Sequence, residues 1–363
     1  MPISDIQGLR KAAIANTLFP PTTLKKAIEK LGFLQADPIR SPARAQDLTL
    51  RHRVKNYRSG DLEILYPNIN VDEDFLFAYG FLPRSLSPLL HPRESYRLSK
   101  LEKDVLAHMD ESGPVHPQDV ATTFGSKRTR NGWGGFSKAT KRALEKLYHY
   151  GHLRIAGRKN GIRLYQRASE TTPEQSPEKR FQALALLIAR FHSPVEERIL
   201  NRALNCLKHI VPKLSGRKAL LDEVLESNGF RRETIDGIEY TWLDRKIGSA
   251  EPTHQVRFLA PFDPLVRDRD RFEHLWDWSY RFEAYIPAAK RERGCYALPL
   301  LWRDEIIGWV NASVINDRLI LQIGYVHKAP KSKEYREALE REASRMAKFL
   351  HLPESEWELE ESV

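Results

Sequence analysis

Two polar side chains near the start of the chain have types and spacing that could do chemistry. Gln35 and Asp37 lie in the segment Leu34-Gln35-Ala36-Asp37-Pro38, directly after a predicted helix. A carboxylate can act as a general base, and a side-chain amide can orient a water molecule through hydrogen bonds. The residues alone favour another interpretation, in which Asp37 caps a helix that starts at Pro38 and continues through Leu48.

A second feature is suited to binding rather than to catalysis. The stretch from Ser126 to Arg167 contains twelve Lys and Arg residues and one acidic residue, Glu145. The whole chain has a net charge of +10, so the remainder of the sequence is close to neutral. A basic surface that is concentrated in one module indicates a nucleic-acid partner.

The elements around this charge predict a winged helix-turn-helix. Apolar residues recur at helical spacing over 98–109 and over 139–148, and a short helix start at Pro117 lies between the two runs. After Gly151, the strands 153–155 and 162–165 flank a turn over 157–161, which predicts a β-hairpin. Three helices followed by a basic hairpin, the wing, give this motif.

The basic residues lie on the two elements that would contact DNA. Lys138, Lys141 and Arg142 are on the predicted recognition helix, and Arg158 and Lys159 are on the wing. We expect these five side chains to neutralise phosphates, which supplies affinity without sequence specificity. The alternative is a protein-docking module whose charges are a solvated face.

Composition excludes several other classes of protein. The 363 residues, 41% of them hydrophobic and 29% charged, are typical of a soluble protein with two to four small domains. No segment has the ~18 consecutive apolar residues of a membrane span, and no signal peptide is evident, so we expect a cytoplasmic, nucleoid-associated protein. Cys206 and Cys295 are too few for a disulfide framework, and no metal-binding or phosphate-loop motif occurs. We expect neither a metal nor another cofactor.

The chain divides into four predicted domains, 1–95, 96–170, 178–250 and 251–363. A linker rich in Ser, Thr, Glu and Pro spans 168–177. The third domain repeats the pattern of helices followed by a hairpin, with a type I′ turn at Asp236-Gly237. The fourth is rich in strands and aromatic residues, which predicts a small β-barrel or sandwich, and it ends in a charged helix and an acidic, solvated tail.

Basic and acidic residues alternate in one part of the fourth domain. Arg267, Arg269 and Arg271 alternate with Asp268 and Asp270. In an extended segment this period of two places the arginines on one face, where they could contact DNA. A ladder of intramolecular salt bridges is an equally good interpretation.

Several motifs, in order along the chain, resemble the YcaQ/AlkZ family of DNA glycosylases. The similar motifs are Leu34 to Asp37, Ala43-Arg44-Ala45, Phe81-Leu82-Pro83, the winged helix, Pro261 to Arg269, Tyr285 to Arg291 and Leu298 to Trp302. The resemblance implies an α+β fold of three tandem winged-helix units, scaffolded by a C-terminal β-barrel into a C-shaped DNA clamp. It also implies monofunctional excision of bulky or crosslinked N7-alkylated purines, including the unhooking of interstrand crosslinks, in base excision repair.

The resemblance also assigns residues. Gln35 and Asp37 match the Gln-x-Asp catalytic motif of the YcaQ branch, and they become the water-orienting amide and the general base. Arg44, Arg267, Arg269, Lys290 and Arg291 join the five basic residues above as expected contacts to double-stranded DNA that carries alkylated or crosslinked bases. The chain is expected to be a monomer. One departure is that Phe77-Ala78 stand where relatives commonly have a His-Glu pair, which bears on the substrate range.

Two other functions are compatible with the same motifs. A winged helix is common in transcription regulators, although neither a dimerisation helix nor a ligand domain is evident in this sequence. A DNA clamp without catalytic activity is the second alternative. Release of a modified base from duplex DNA distinguishes both from a glycosylase.

Overall fold

The computed structural model describes residues 3–93, 97–130, 135–168, 175–244 and 254–361. Helices and mainly antiparallel sheets give an α+β fold. Most of the predicted linker 168–177 and the predicted boundary at 250–251 lie outside these ranges. Within them, no helix has the length and apolar character needed to cross a membrane.

The described parts of the four predicted domains are called the first segment (3–93), the second (97–168 without 131–134), the third (175–244) and the fourth (254–361). The first segment begins with two helices. Asp5 caps the first helix by accepting a hydrogen bond from the Gly8 amide, and Gly32 ends the second with φ +72°. A three-stranded sheet of order β1-β3-β2 follows. The elements are α1 (Ile6–Thr17), α2 (Leu24–Leu31), β1 (Leu34–Gln35), α3 (Ala45–Leu50), α4 (Asp61–Leu65), β2 (Val71–Phe75), β3 (Tyr79–Pro83) and α5 (Ser87–Leu90).

The interpretation of Asp37 as a helix cap is wrong. Its carboxylate accepts a hydrogen bond from the Ile39 amide at 2.9 Å, as a capping residue would, but no helix follows. The chain instead turns back on itself, with an antiparallel bridge between Arg40 and Arg44, and α3 starts only at Ala45. Asp37 therefore lies in an irregular segment directly after β1.

The second segment contains the predicted helices and hairpin. The hairpin turns at Asn160 and Gly161, both with positive φ, so its strands are longer than the sequence predicted. A second, short hairpin between the last two helices was not predicted. The elements are α6 (Lys100–Ser112), α7 (Pro117–Phe124), β4 (Arg128–Arg130), β5 (Phe136–Lys138), α8 (Ala139–His149), β6 (Leu153–Lys159) and β7 (Ile162–Arg167).

The third segment also has its predicted helices and hairpin, and Asp236 and Gly237 both have the positive φ of a type I′ turn. A two-residue strand pairs with the hairpin to give the order β8-β10-β9. The elements are α9 (Pro177–His192), β8 (Val195–Glu196), α10 (Glu197–Leu204), α11 (Arg217–Ser227), β9 (Phe230–Ile235) and β10 (Ile238–Leu243).

The fourth segment differs from the sequence-based expectation in two ways. Its five strands form an open sheet of order β11-β12-β13-β14-β15, and no closed barrel is present among the described residues. The acidic tail is not simply solvated, because β15 pairs in parallel with β14 and alternates Trp357 and Leu359 with glutamates. The elements are β11 (Val256–Phe258), α12 (Arg269–Trp276), β12 (Leu298–Trp302), β13 (Glu305–Ile315), β14 (Arg318–Tyr325), α13 (Lys333–Phe349) and β15 (Trp357–Glu361).

A buried ion pair joins the first segment to the fourth. Arg53 and Asp263 are both fully buried, and the guanidinium donates to both carboxylate oxygens at 2.8 and 3.0 Å. Arg53 also donates to the carbonyls of Thr17 and Thr49, so it holds the ends of α1 and α3 as well. Buried charges have lost their hydration, so they require an oppositely charged partner and hydrogen bonds to their remaining polar atoms.

We expect Asp263→Asn to lower the free energy of unfolding by about 3 to 5 kcal/mol, because it leaves the Arg53 guanidinium buried without its counter-charge. Chemical denaturation at neutral pH measures the loss. The matched control is Asp270→Asn, which removes an exposed carboxylate from the same region and should cost no more than about 1 kcal/mol. Equal losses in the two variants would contradict the importance of the buried pair.

Candidate active site

The backbone of Gln35 is fixed by pairing between β1 and β3. Gln35 is the register partner of Gly80, and the next amide, that of Ala36, donates to the Tyr79 carbonyl at 2.9 Å. A Cβ atom at Gly80 would lie 2.3 Å from the Leu34 carbonyl oxygen, so only glycine permits this close approach of the two strands. The position of Gln35 is therefore set by local sheet structure.

The side chain of Gln35 contacts a residue that is 232 positions away in the sequence. Its Oε1 accepts a hydrogen bond from Arg267 Nε at 2.6 Å. The Arg267 guanidinium stacks on the Phe77 ring, 4.3 Å from the ring centroid. Burial lowers the pKa of Arg267 to about 10, so the side chain remains charged at neutral pH.

Asp37 is partly buried and lies two residues beyond Gln35. Its own amide donates to the Oε1 of buried Gln46 at 3.2 Å. Burial raises the pKa of the carboxyl group, and the hydrogen bond from Ile39 opposes part of that rise. Among the described residues, no cationic group lies within ion-pair distance of Asp37. Burial raises the pKa of the Tyr296 hydroxyl, and the negative charge of nearby Asp37 raises it further.

A cavity of about 510 Å³ opens in front of Gln35. Its lining includes both apolar and charged side chains, so the cavity can accept a ligand with both kinds of surface. It is lined by Gln35, Phe77, His192, Ile199, Arg202, Ala203, Cys206, Phe262, Arg267, Asp268, Arg269 and Asp270. Gln35 and Arg267 are brought together here, whereas Asp37 is adjacent to the lining and not part of it.

Phe77, the position of the departure from the family pattern, lies in the turn between β2 and β3. Its ring packs against Phe33, Phe191 and His192, with ring centroids 4.5 to 5.5 Å apart. Burial lowers the pKa of His192 well below its usual value, and the nearby arginines lower it further. The departure therefore lies in a wall of the cavity.

Sequence reasoning missed His192 and Cys206 as cavity residues. Both belong to the third segment, and only the packing of α9 and of the residues after α10 against the first segment brings them here, so no local signal could have found them. Phe262 was contained in the Pro261 to Arg269 motif, which was the available signal. Within the described ranges, no group of three or more His, Cys, Asp or Glu side chains could hold a metal ion.

Most of the basic residues predicted on the second segment are exposed. Lys138, Lys141 and Arg142 lie at or near the start of α8, and Lys159 lies at the tip of the β6–β7 hairpin. Lys141 is 3.7 Å from Glu145, a solvated pair, and Arg142 donates a hydrogen bond to the Arg130 carbonyl. Because these exposed contacts are weak, breaking them to bind an anionic partner costs little free energy.

Arg158 differs from the other wing residues, and its assignment as a free phosphate contact is corrected here. Its Nε and Nη2 donate to the two oxygens of Glu73 at 2.9 and 2.6 Å. Glu73 is only 1% exposed and also accepts hydrogen bonds from the hydroxyls of Tyr66 and Tyr79. Because a buried carboxylate needs its cation, Arg158 joins the wing to the first segment. Arg44 is likewise paired, with Glu63 at 3.0 Å.

The alternating Arg-Asp segment is not extended, as the DNA-facing interpretation assumed. Asp268 caps α12 by accepting a hydrogen bond from the Arg271 amide, so the segment becomes helical instead of extended. Arg271 is buried and donates to the carbonyls of His192 and Pro194, so it cannot face DNA. Asp268 and Asp270 do form intramolecular salt bridges, but their partner is Arg202 of the third segment and not the arginines that alternate with them.

Two other arginines that were predicted to contact DNA, Arg269 and Arg291, also form hydrogen bonds within the protein. Arg269 donates to the carbonyls of Val266 and Pro261 at 2.6 and 2.9 Å, and it stacks over Tyr280. Arg291 donates to the Ile286 carbonyl at 2.8 Å. Lys290 is exposed at the end of a short 3-10 turn. Of the C-terminal candidates, Lys290 is therefore the one most readily available to DNA.

Comparison with known proteins identifies the family of the chain. The family model described as DNA glycosylase AlkZ-like matches residues 28–349, which include both Gln35 and the Pro261 to Arg269 motif. The structure of Streptomyces sahachiroi DNA glycosylase AlkZ superposes with a TM-score of 0.63 at 14% identity, over 99% of this chain and 100% of that one. The structural likeness supports the shared fold, and the family match covers most of the chain. The chain therefore belongs to the AlkZ-like family of DNA glycosylases.

Proposed function

We propose that the protein is a monofunctional glycosylase that hydrolyses the N-glycosidic bond of bulky N7-alkylated purines, including those in interstrand crosslinks. The observation that carries this proposal is the partly buried carboxylate of Asp37, which has no cation at ion-pair distance among the described residues and lies two positions after Gln35, a residue that lines the cavity. A buried charge without a cation costs stability, and such groups cluster at functional sites.

The chemistry of the substrate suits a single carboxylate. An N7-alkylated guanine already carries a positive charge, so it departs as a neutral base without protonation by a general acid. The enzyme has to stabilise the positive charge that develops on the sugar and to direct a water molecule at C1′. Asp37 can do both, as electrostatic stabiliser and general base, while the Gln35 amide orients the water. Glycoside hydrolases need a second carboxyl group because their leaving oxygen must be protonated.

The location of the motif supports action on crosslinked bases. A crosslinked base cannot rotate fully out of the duplex, because the opposite strand is attached to it. Asp37 lies in an irregular surface segment and is only partly buried, so it can be approached by a duplex. The exposed Lys138, Lys141, Arg142 and Lys159 are the proposed phosphate contacts, together with Lys290.

The first prediction from the proposed function concerns Asp37. We expect Asp37→Asn to slow single-turnover release of N7-methylguanine from duplex DNA by a factor of roughly 100 or more, since the carboxylate acts on the transition state. DNA affinity should stay within a few-fold, which a fluorescence binding titration measures. The matched control is Asp104→Asn, which removes an exposed carboxylate that pairs with Lys100.

The stability of the same variant is a further control. Because the pKa of Asp37 is raised in the folded state, its charged form destabilises the fold as the pH rises above the usual aspartate value. Asp37→Asn removes that cost and keeps an oxygen for the Ile39 amide, so its Tm at neutral pH should be no lower than that of wild type. An unchanged rate of base release in the variant would remove the catalytic assignment of Asp37. No release above background by either protein would favour a DNA clamp without catalysis.

The second prediction concerns pH. A general base must be deprotonated, so the rate of base release should fall as the pH is lowered through the raised pKa of Asp37. The fall should therefore begin at a higher pH than for an ordinary aspartate, and it should be absent from the residual rate of Asp37→Asn. Single-turnover rates, corrected for spontaneous depurination at each pH, test this. The same acid limb in both proteins would assign it to another group.

The third prediction separates the exposed basic residues from Arg158. Single Ala substitutions at Lys138, Lys141, Arg142 and Lys159 should each reduce the slope of log K against log salt by about one unit, for every DNA sequence tested. Arg158→Ala should mainly lower the free energy of unfolding, because it removes the guanidinium that binds both oxygens of buried Glu73 and leaves only the more distant Arg163, at 3.6 Å. Lys333→Ala on α13 is a control of equal charge. A quadruple variant that binds duplex DNA like wild type would favour the protein-docking alternative.

A further inference from the structure

We infer that Arg267 is a positioning residue for catalysis, one that fixes the Gln35 side-chain amide so that its NH2 group faces the reacting water. This inference rests on the proposed function of Gln35. It gives Arg267 a different role from the DNA contact that the sequence predicted.

The hydrogen bond itself determines which way the amide points. A guanidinium has only donors, so the atom of Gln35 that meets Arg267 Nε at 2.6 Å must be the carbonyl oxygen. The opposite orientation would place NH2 against N–H, two donors in contact. With Oε1 engaged by a charged donor, Nε2 is the part of the amide that remains for a ligand.

Arg267 is itself held on two sides. Its guanidinium stacks on Phe77, and its backbone amide donates to the Asp263 carbonyl at 2.8 Å. The Asp263 carboxylate is bound by Arg53 and also accepts from the Leu265 amide at 3.1 Å. The contact therefore joins two rigid parts, strand β1 on one side and the Asp263 turn on the other, and a preorganised group loses little entropy when the substrate binds.

The orientation matters for the proposed hydrolysis. A water oxygen can accept a hydrogen bond from Gln35 Nε2 with one lone pair and attack C1′ with the other, while it donates a proton to Asp37. The new C1′–O bond forms as the bond from C1′ to the purine nitrogen breaks. The bonding pair leaves with the purine and neutralises its positive charge, and Asp37 keeps the proton. If Gln35 presented Oε1 instead, that oxygen would accept the second proton of the same water, and the water would be held by two acceptors with no donor to fix its lone pairs.

A different role for Arg267 makes opposite predictions. Among the described residues, no carboxylate lies within ion-pair distance of its guanidinium, so a phosphate of the DNA backbone could bind there. In that case Arg267 would contribute to DNA affinity and would act independently of Gln35. The two roles differ in whether substitutions of Gln35 and of Arg267 have coupled effects on the rate of base release.

The test is a double-mutant cycle of Gln35→Ala and Arg267→Met, with single-turnover release of N7-methylguanine as the measurement. Loss of an oriented donor costs roughly 100-fold in rate. We expect each single variant to lose about that factor, the double variant to be no slower than Gln35→Ala, and DNA affinity to stay within a few-fold. The acid limb that belongs to Asp37 should stay at the same pH. Rate losses that multiply, together with weaker DNA binding, would overturn the inference and assign Arg267 to a phosphate.

A second variant keeps the test informative if Arg267→Met does not fold. Gln35→Glu retains Arg267 and strengthens the contact, because a carboxylate replaces the amide oxygen. It should therefore have an equal or higher Tm than wild type and yet lose as much rate as Gln35→Ala, since the NH2 group is gone. Base release at the wild-type rate by Gln35→Glu would overturn the inference.

A spectroscopic measurement separates this inference from the proposed function. The side-chain 15N resonance of Gln35, assigned by its loss in Gln35→Ala, should shift in Arg267→Met and stay in place in Arg269→Met, whose guanidinium bonds only to backbone carbonyls. If wild type released no modified base while this pattern held, the proposed function would fail and the amide contact would stand. An unshifted resonance in Arg267→Met would instead reject the contact.

Discussion

The buried ion pair between Arg53 and Asp263 is the interaction on which the site depends. One guanidinium binds both carboxylate oxygens and the carbonyls of Thr17 and Thr49, so two helices of the first segment and one turn of the fourth share a single centre. The same turn delivers Arg267, whose amide bonds to the Asp263 carbonyl. Gln35 and Arg267 are more than 200 positions apart in the sequence, and their side chains form a hydrogen bond of 2.6 Å. The buried ion pair makes this possible because it fixes the first segment against the fourth.

Arginines neutralise several of the most deeply buried carboxylates in this protein. Glu73, Asp263 and Glu342 are each almost fully buried and each contacts a guanidinium. Asp37 is partly buried, has a raised pKa and has no such partner among the described residues. Asp47 is more deeply buried, and it too has a raised pKa and no cation at ion-pair distance among the described residues, but it accepts hydrogen bonds from the Tyr57 hydroxyl and the Gly60 amide. Asp37 differs from it in being partly exposed, so that a ligand can reach its carboxylate.

Local signals account for what the sequence could predict. The helices with capping residues and the hairpin turns at Asn160-Gly161 and Asp236-Gly237 depend on neighbouring residues, and the structure has them. Asp37 and Asp268 show the limit of such signals, because each accepts a hydrogen bond from a following amide, yet only Asp268 starts a helix. The sequence favoured the reverse for both, since the outcome is decided by what the next residues pack against.

Contacts across the chain were beyond any local pattern. Arg158 has the same sequence context as Lys159, an exposed basic residue of the wing, but it reaches back to a glutamate buried in the first segment. Likewise, Gln35 and Arg267 were each identified as candidates, and nothing in the spacing of either motif joined them. A resemblance to a family supplies the residues of a site more readily than their partners, which depend on packing.

The departure at Phe77-Ala78 acquires a physical meaning from these contacts. An aromatic ring at position 77 gives the Arg267 guanidinium a stacking surface and no counter-charge. A carboxylate at this turn would compete with Gln35 Oε1 for the donors of the same guanidinium, because a charged acceptor binds more strongly than an amide oxygen. The apolar wall therefore favours the Gln35–Arg267 hydrogen bond, and it gives the cavity an aromatic surface.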